Sequence, residues 1–144
     1  MIEVLIPLNP EFQKYEAQVK ELYEKNQQKI CDPNTFDFVK NNTLFYIFNQ
    51  NGALIGAIYY FMDNDKLYLN GFASPKHLEL NLFCLRLSTT WFSIPIYAEA
   101  QNRASALCLL RCGFKRVEGN LFCHEKKYYK KPSLAQKGKF NYVI

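Results

Sequence analysis

The two histidines are the side chains of this 144-residue sequence that are best suited to proton transfer at neutral pH. His124 lies in the stretch LFCHEKK, where strand alternation places it on the same face as Phe122. It is a candidate general base, and the alternative is a histidine hydrogen-bonded within a sheet. His77 follows Ser74 and Pro75, a helix-start signal. It therefore belongs to the first turn of a helix, either in contact with an anion or simply solvated.

The five cysteines do not form a metal-binding pattern, because their number is odd and no CxxC pair occurs. Cys108 and Cys112 lie four residues apart, and no histidine stands nearby at zinc-ligand spacing. We therefore predict no metal site. Buried, reduced thiols are typical of a cytoplasmic protein, which is the location we expect.

Positive charge is concentrated at the C-terminal end of the sequence. The net charge is +5, yet residues 126–144 contain six lysines and no acid, which leaves twelve basic and thirteen acidic residues in 1–125. One interpretation is a nucleic-acid contact, with lysines on phosphates and tyrosines stacking on bases. A solvated basic extension is favoured, because a nucleic-acid protein usually carries its basic patch on its body. We therefore do not expect nucleic acid as a partner.

Membrane insertion is not indicated by the sequence. No apolar run approaches the roughly 18–20 residues needed to span a bilayer. The first residues, MIEVLIPLNP, lack the basic region and the small-residue cleavage site of a signal peptide. We expect no membrane partner.

The stretch NRASALCLLRCGF, residues 102–114, combines a helix start, a helix stop and the beginning of a strand. Asn102 is a helix-capping residue, and Gly113 is a typical helix terminator. Helical spacing likewise predicts a helix over 10–30, with Asn9 as its cap. The segment from Ser74 onward is apolar nearly all round, which predicts a buried helix.

The elements follow the order β-α-(α)-β-β-β-α-β-α-β-β. Asn51-Gly52 and the stretch DND indicate tight hairpins, so the middle strands are expected to be antiparallel. The later strands are joined by helices and are expected to run parallel. We predict a mixed α+β domain over 1–127 and a basic C-terminal extension over 128–144.

This order of elements and the stretch NRASALCLLRCGF resemble the GNAT fold of the Gcn5-related N-acetyltransferases. The feature shared with that family is an asparagine, followed by a helix rich in small residues and then by a Gly-Phe pair that begins a strand. The resemblance implies a central twisted mixed sheet of about seven strands, flanked by about four helices. It also implies an acyl-coenzyme A, such as acetyl-coenzyme A, bound where the fourth strand (66–73) and the fifth (95–99) splay apart.

The resemblance assigns residues to the coenzyme. The pantetheine arm pairs with the backbone of the fourth strand, and the pyrophosphate lies on N–H groups at the start of the next helix. Asn102 either contacts the coenzyme or only caps its helix. The expected coenzyme-binding residues are Phe72, Ala73, Ser74, Lys76, His77 and Asn102.

The sequence departs from the family pattern at two places, which makes it a divergent example. The family's phosphate loop carries Arg-Gly-x-Gly or a close variant, whereas SPKHLELNLF contains no glycine, and its Glu79 would repel phosphates if it faced them. The family's last helix commonly carries a tyrosine that protonates the leaving thiolate. Leu109 stands at that position here, and leucine has no proton to donate.

Two residues are candidates for catalysis once the resemblance is taken into account. Glu99 ends the fifth strand beside the expected cleft, where a carboxylate could accept a proton through water from an amine. The alternatives for Glu99 are a surface position or an ion pair with Arg103. His124 is the second candidate. The function implied is an N-acyltransferase acting on a small-molecule or protein amine. The alternative is an inactive GNAT-like protein with a binding or structural role, such as one from a phage or mobile element.

Overall fold

The computed structural model describes residues 1–125, which form a seven-stranded sheet with four α-helices. The strands are β1 (Ile2–Leu5), β2 (Leu44–Gln50), β3 (Ala53–Asp63), β4 (Lys66–Ala73), β5 (Ile96–Glu99), β6 (Lys115–Glu118) and β7 (Leu121–His124). The helices are α1 (Glu16–Asn26), α2 (Phe36–Asn42), α3 (Leu78–Ser88) and α4 (Arg103–Arg111). The predicted basic extension, 128–144, lies outside the described residues.

The sheet is mixed, as predicted, with the strand order β1-β2-β3-β4-β5-β7-β6. β4 and β5 are parallel, and every other neighbouring pair is antiparallel. β5 and β6 run in the same direction, because both pair antiparallel with β7, which lies between them. The prediction of a mixed sheet of about seven strands flanked by about four helices is confirmed by this arrangement.

Two tight turns fix the register of the central strands. Asn51 and Gly52 join β2 to β3 with φ angles of 51° and 81°. Asn64 and Asp65 join β3 to β4 with φ angles of 50° and 63°. Positive φ at both central residues is the geometry that matches the twist of paired strands, and glycine, asparagine and aspartate adopt it most readily. The two hairpins predicted from these residues are therefore confirmed.

The first predicted helix is divided into two parts. The Asn9 side chain caps the segment by accepting a hydrogen bond from the Glu11 amide at 2.8 Å, but Pro10–Lys14 forms a 3-10 turn. Tyr15 then has φ −110° and ψ −7°, which differ from the regular helix values of about −63° and −42°, and α1 begins only at Glu16. The prediction of one continuous helix over 10–30 was therefore wrong, although the cap and the apolar spacing were correctly identified.

The prediction for α3 was wrong in two respects. Ser74 makes no side-chain cap, and Pro75–His77 forms a 3-10 turn, so that α3 starts at Leu78. The helix is also not buried all round, because Phe83 is 58% exposed. Only one face of α3 packs on the sheet. The apolar composition of the helix does not show which of its faces is exposed to solvent.

Hydrophobic side chains cover both faces of the sheet. On the α1/α2 face, Val19 and Tyr23 of α1 pack with Phe45 of β2 and Phe72 of β4. On the α3/α4 face, Leu82 of α3 and Leu109 of α4 join a second cluster that includes strand residues, such as Ile58 and Phe122. Burial of these large side chains is the main source of stability for such a layered fold. The sheet is thus a rigid platform with helices on both sides.

No helix within residues 1–125 has the length and apolar character needed to cross a bilayer. The same residues contain no group of three or more histidine, cysteine, aspartate or glutamate side chains that could hold a metal ion. The cytoplasmic location remains a prediction.

The five cysteines differ in their exposure, and none forms a disulfide. Cys84 and Cys112 are buried, and burial raises the pKa of each thiol to about 11. Cys31 and Cys108 are exposed. The expectation of buried thiols is therefore correct for the first pair and wrong for the second.

Alkylation with iodoacetamide at pH 8 is expected to modify Cys31 and Cys108 much faster than Cys84 and Cys112. The reagent reacts with thiolates, and a thiol with a pKa near 11 carries only about a thousandth of its population as thiolate at that pH. Peptide mass spectrometry over a time course measures the four rates separately. In denaturant all four thiols should react equally, and equal rates in the native protein would contradict the burial described.

Candidate active site

The sheet opens between β4 and β5. These parallel strands pair only at Leu67 with Ile96 and at Tyr68 with Tyr97, whereas β4 continues to Ala73. On its other edge β4 stays paired with β3 as far as the Ala73–Gly56 pair. Within residues 1–125 the β5-facing edge of β4 therefore has no strand partner beyond Tyr68. Its backbone groups there can pair with an extended ligand, except that the Gly71 N–H already donates to the Asn70 Oδ1 atom at 2.9 Å.

The start of α3 lies directly at the end of this open edge. β4 ends at Ala73, Pro75–His77 forms the 3-10 turn, and α3 begins at Leu78. The first N–H groups of a helix have no partner within the helix, and the helix dipole makes this end positive. Lys76 is exposed and His77 is half-buried. The position therefore has the properties of an anion site next to the open edge.

The other residues assigned to the coenzyme have structural roles as well. Phe72 is 4% exposed, its ring packs against Tyr23 at 5.6 Å, and it pairs with Ala57 of β3, so it has a structural role in the sheet. The Ser74 amide donates to the Ile55 carbonyl at 2.9 Å. Asn102 caps α4 by accepting from the Ser105 amide at 2.8 Å. The capping role predicted for Asn102 is confirmed, whereas its contact with a coenzyme remains a prediction.

Glu79, in the first turn of α3, pairs with Arg111 at the end of α4. The two guanidinium nitrogens of Arg111 donate to the two carboxylate oxygens of Glu79 at 3.0 and 3.1 Å. These hydrogen bonds and the positive charge of Arg111 hold the pKa of the Glu79 carboxyl below its ordinary value. Arg111 therefore neutralises the carboxylate that would otherwise repel an anion at the start of α3.

Leu109 packs into the core of the α3/α4 face and is only 7% exposed. Its neighbours in that cluster include Leu82 and Phe114. Gly113 ends the helix with φ +93°, and the Phe114 amide donates to the Leu109 carbonyl at 3.0 Å. The position that carries a tyrosine in the resembling family therefore contributes packing in this chain and supplies no acid.

A cavity of about 380 Å³ lies on the α1/α2 face beside the opening between β4 and β5. We call it the β4–β5 cavity. Glu99 of β5 and the following Gln101 line one side, and the loop 30–34 between α1 and α2 lines another. Its β3 and β4 walls are formed by Phe61, Tyr68, Leu69 and Asn70. The volume lies within the range of small-molecule sites.

The loop 30–34 is attached to the sheet through Asp32. The buried Tyr59 hydroxyl of β3 donates to the Asp32 Oδ2 atom at 2.7 Å. The Asn34 amide and its side chain both donate to the Asp32 Oδ1 atom at 2.9 Å. Burial, followed by the hydrogen bond and charge of Asp32, raises the pKa of the Tyr59 phenol above its ordinary value. The phenol therefore stays protonated and remains a donor.

Further hydrogen bonds hold the loop over the cavity, including two from the Gln27 side chain to the Asp32 and Asn34 carbonyls at 2.9 and 2.8 Å. The Asn70 side chain of β4 donates to the Ile30 carbonyl at 3.3 Å. The Tyr23 hydroxyl of α1 donates to the Asn34 carbonyl at 2.7 Å. The loop is therefore bonded to β4 at Ile30 and to α1 at Asn34. These bonds give the Asp32 carboxylate a defined position relative to Glu99.

The two candidate catalytic residues lie on opposite faces of the sheet. Ile96 and Ala98 of β5 point into the α3/α4 core, so alternation puts Glu99 on the α1/α2 face, where it lines the β4–β5 cavity. His124 shares the other face with Phe122, and its ring lies 5.2 Å from that of Phe114. The structure therefore brings Glu99 to the cavity and does not bring His124 there. The alternative ion pair of Glu99 with Arg103 is not formed.

Sequence reasoning missed Asp32 and Asn70 as cavity residues. Asp32 lies in the loop before α2, which begins at Phe36 with Thr35 as its cap. Asn70 is a polar residue in an otherwise apolar strand, and this was an available signal. The pairing of a loop residue with a residue of a distant strand depends on the fold, and no local pattern reveals it.

Comparisons with known proteins support the fold. No family model and no curated protein matches the sequence. An N-acetyltransferase from Staphylococcus aureus Mu50 has a similar structure, with a TM-score of 0.66 and 14% identity over 87% of this chain and 97% of that one.

Two other similar structures contain coenzyme A. N-acetylglutamate synthase from Neisseria gonorrhoeae, complexed with coenzyme A and N-acetyl-glutamate, has a TM-score of 0.58 and 12% identity over 86% of this chain and 35% of that one. Aminoglycoside acetyltransferase AAC(6')-Ib, in complex with coenzyme A and kanamycin, has a TM-score of 0.56 and 12% identity over 88% of this chain and 95% of that one. The fold is that of the N-acetyltransferases. More particularly, it is the GNAT fold that the sequence resembles.

Tyr59→Phe is expected to lower the free energy of unfolding by about 1.5–3 kcal/mol, because it removes a hydrogen bond to a charged acceptor. The loop 30–34 should also exchange its amide hydrogens faster. Denaturant titration measures the first effect and hydrogen exchange the second.

Tyr60→Phe is the matched control. Its hydroxyl lies 2.6 Å from the Ser88 Oγ atom on the other face of the sheet, so the variant loses a hydrogen bond without touching the loop. Faster exchange of the loop 30–34 in both variants, or in neither, would contradict the role given to Tyr59.

Proposed function

We propose that this chain is an N-acyltransferase that moves an acyl group from acyl-coenzyme A to an amine. The observation that carries the proposal is the open edge of β4, which leads from the start of α3 to the β4–β5 cavity and Glu99. Two proteins of the same fold are complexed with coenzyme A. Open edge, anion site and carboxylate together match the parts that such a transfer needs.

The residues present fit an acyl-coenzyme A at the level of backbone. The open edge of β4 would pair with the pantetheine arm through residues such as Ala73, whereas Phe72, which pairs with Ala57 of β3, would only support the strand. The start of α3 would hold the pyrophosphate, assisted by the charge of Lys76. Within the preceding turn the Lys76 amide is the remaining donor, because the Ser74 and His77 amides donate to carbonyls of the chain and Pro75 has no N–H. Asn102, at the start of α4, lies at the corresponding end of β5.

Glu99 is the proposed general base. Acyl-coenzyme A supplies a thioester, and the acceptor amine attacks its carbonyl carbon. The new C–N bond replaces the C–S bond, the amine loses a proton, and the thiolate leaves. Glu99 takes the amine proton, directly or through a water molecule. No acid is assigned to the thiolate, because Leu109 has no proton to donate.

The remaining expectations are also proposals. The catalytic domain would span 1–127, and the basic segment 128–144 would be an extension of it. The catalytic role expected for His124 stays a prediction. The proposed step does not use this side chain.

A non-catalytic role is the second candidate, and one observation favours it. Arg111 and Glu79 link α4 to the first turn of α3, and Leu109 and Leu80 pack in the same core region. These contacts occupy the ends of both helices that flank the opening. A binding or structural protein with this fold would keep the sheet and lose the coenzyme.

Coenzyme binding is the first prediction of the proposed function. Acetyl-coenzyme A is expected to bind with a micromolar Kd in calorimetry, and Lys76→Glu should weaken it at least about fivefold, because it places an anion at the start of α3. The loss should shrink as salt is raised. Lys20→Glu is the matched control, since Lys20 is exposed on α1 and carries the same charge change. Absence of binding at millimolar coenzyme would favour the non-catalytic candidate.

Glu99→Gln is expected to lower kcat for acyl transfer by about 10²–10⁴-fold, which is the usual contribution of a general base. The Kd for acetyl-coenzyme A should not change, because the carboxylate does not contact the phosphates. A thiol-release assay measures kcat, and calorimetry measures the Kd. Glu118→Gln, an exposed carboxylate of β6, is the control. Full activity of Glu99→Gln would remove Glu99 from the mechanism.

A further inference from the structure

The charged side chains that line the β4–β5 cavity are all negative. Asp32 and Glu99 are the ionisable carboxylates of its lining, and no lysine, arginine or histidine among residues 1–125 lines it. Its other polar groups include the neutral amides of Asn34, Asn70 and Gln101. A small cavity lined by one sign of charge attracts ligands of the opposite sign. Its occupant is therefore expected to be a cation.

The two carboxylates stand in different environments. Asp32 is held by the Tyr59 hydroxyl and by Asn34, at 2.7 and 2.9 Å, so its oxygens have fixed positions. Glu99 is exposed and makes no ion pair or hydrogen bond with another side chain of residues 1–125. One carboxylate is therefore a fixed charge in the wall, and the other is available to a ligand.

An aromatic surface forms a further wall of the cavity. The rings of Phe61 and Tyr68 stack with centroids 5.7 Å apart and an angle of 14° between their planes. Flat aromatic faces pack well against an apolar or aromatic group, and they attract a cation placed above them. The occupant should therefore carry an apolar body next to its charge.

We propose that the acceptor is a small primary amine with a net positive charge, an apolar or aromatic body and no carboxylate. This inference rests on the proposed acyl transfer and names its substrate class. The protonated amine pairs with Asp32 and Glu99, and the body lies on Phe61 and Tyr68. An α-amino acid brings its own carboxylate into a cavity that already holds two, and nothing cationic in the described lining compensates it. The site therefore rejects amino acids of the same shape.

The test uses three probes of equal ring and chain size: phenethylamine, phenylalanine and 2-phenylethanol. Binding to the full chain is measured by calorimetry without coenzyme, and acyl transfer is measured with acetyl-coenzyme A. Phenethylamine should bind at least about tenfold more tightly than phenylalanine and than 2-phenylethanol. It should also be acylated with the higher kcat/KM of the two amines. Equal or tighter binding of phenylalanine would overturn the proposal.

Variants connect the preference to named residues. Asp32→Asn keeps the shape and an acceptor oxygen, and it should weaken phenethylamine binding about fivefold without changing the binding of 2-phenylethanol. Glu99→Gln should weaken phenethylamine binding in the same way. Glu118→Gln, the control, should change the binding of neither phenethylamine nor 2-phenylethanol. If both cavity variants bind phenethylamine like the wild type, the assignment to this cavity is wrong.

The two proposals fail in different experiments. Selective binding of phenethylamine that depends on Asp32, without any binding of acetyl-coenzyme A, would sustain the amine site and overturn the acyltransferase. Coenzyme binding and acyl transfer to phenylalanine in preference to phenethylamine would sustain the acyltransferase and overturn the substrate class.

Discussion

The short contact between two parallel strands is the constraint on which the rest of the site depends. β4 is long because its hairpin with β3 pairs it as far as Ala73, whereas β5 has only four residues and meets β4 at two of them. A strand with one edge paired and the other open leaves backbone groups without a strand partner, of which the Gly71 N–H is satisfied by the Asn70 side chain. Since α3 begins where β4 ends, the open edge and the positive end of a helix necessarily adjoin.

The second wall of the cavity depends on hydrogen bonds from the interior of the sheet. Tyr59 is 1% exposed, yet its hydroxyl reaches the Asp32 carboxylate in the loop. A buried phenol needs such a partner, and a hydrogen bond to a charged acceptor contributes more than one to a neutral group. Asn70 supplies a similar bond from β4 to Ile30. Polar side chains of two neighbouring strands therefore convert a connecting loop into a defined surface.

Much of the fold could be predicted, because its signals are local. Asn51-Gly52 specifies a turn through its φ angles, and Asn102 and Gly113 delimit a helix through hydrogen bonds at its ends. The cavity could not be predicted in the same way, because Asp32 and Glu99 come together only through the sheet order. The exposed face of α3 was also missed, since an apolar side chain such as Phe83 is not informative about what lies over it. Periodicity reports which residues share a face, and the cover of that face is a property of the whole fold.

Acyl transfer from a thioester to an amine involves two proton transfers of unequal difficulty. A thiol has an ordinary pKa near 8.5, so a leaving thiolate needs little help from an acid at neutral pH. An alkyl amine such as that of lysine has a pKa near 10.4 and must lose its proton before or during attack. Leu109 lacks the group that would serve the easier proton transfer, whereas the role proposed for Glu99 supplies a base for the harder one. Likewise, Arg111 offsets the charge of Glu79 at the start of α3. Under the proposed function, the chain therefore keeps a group for the more demanding proton transfer.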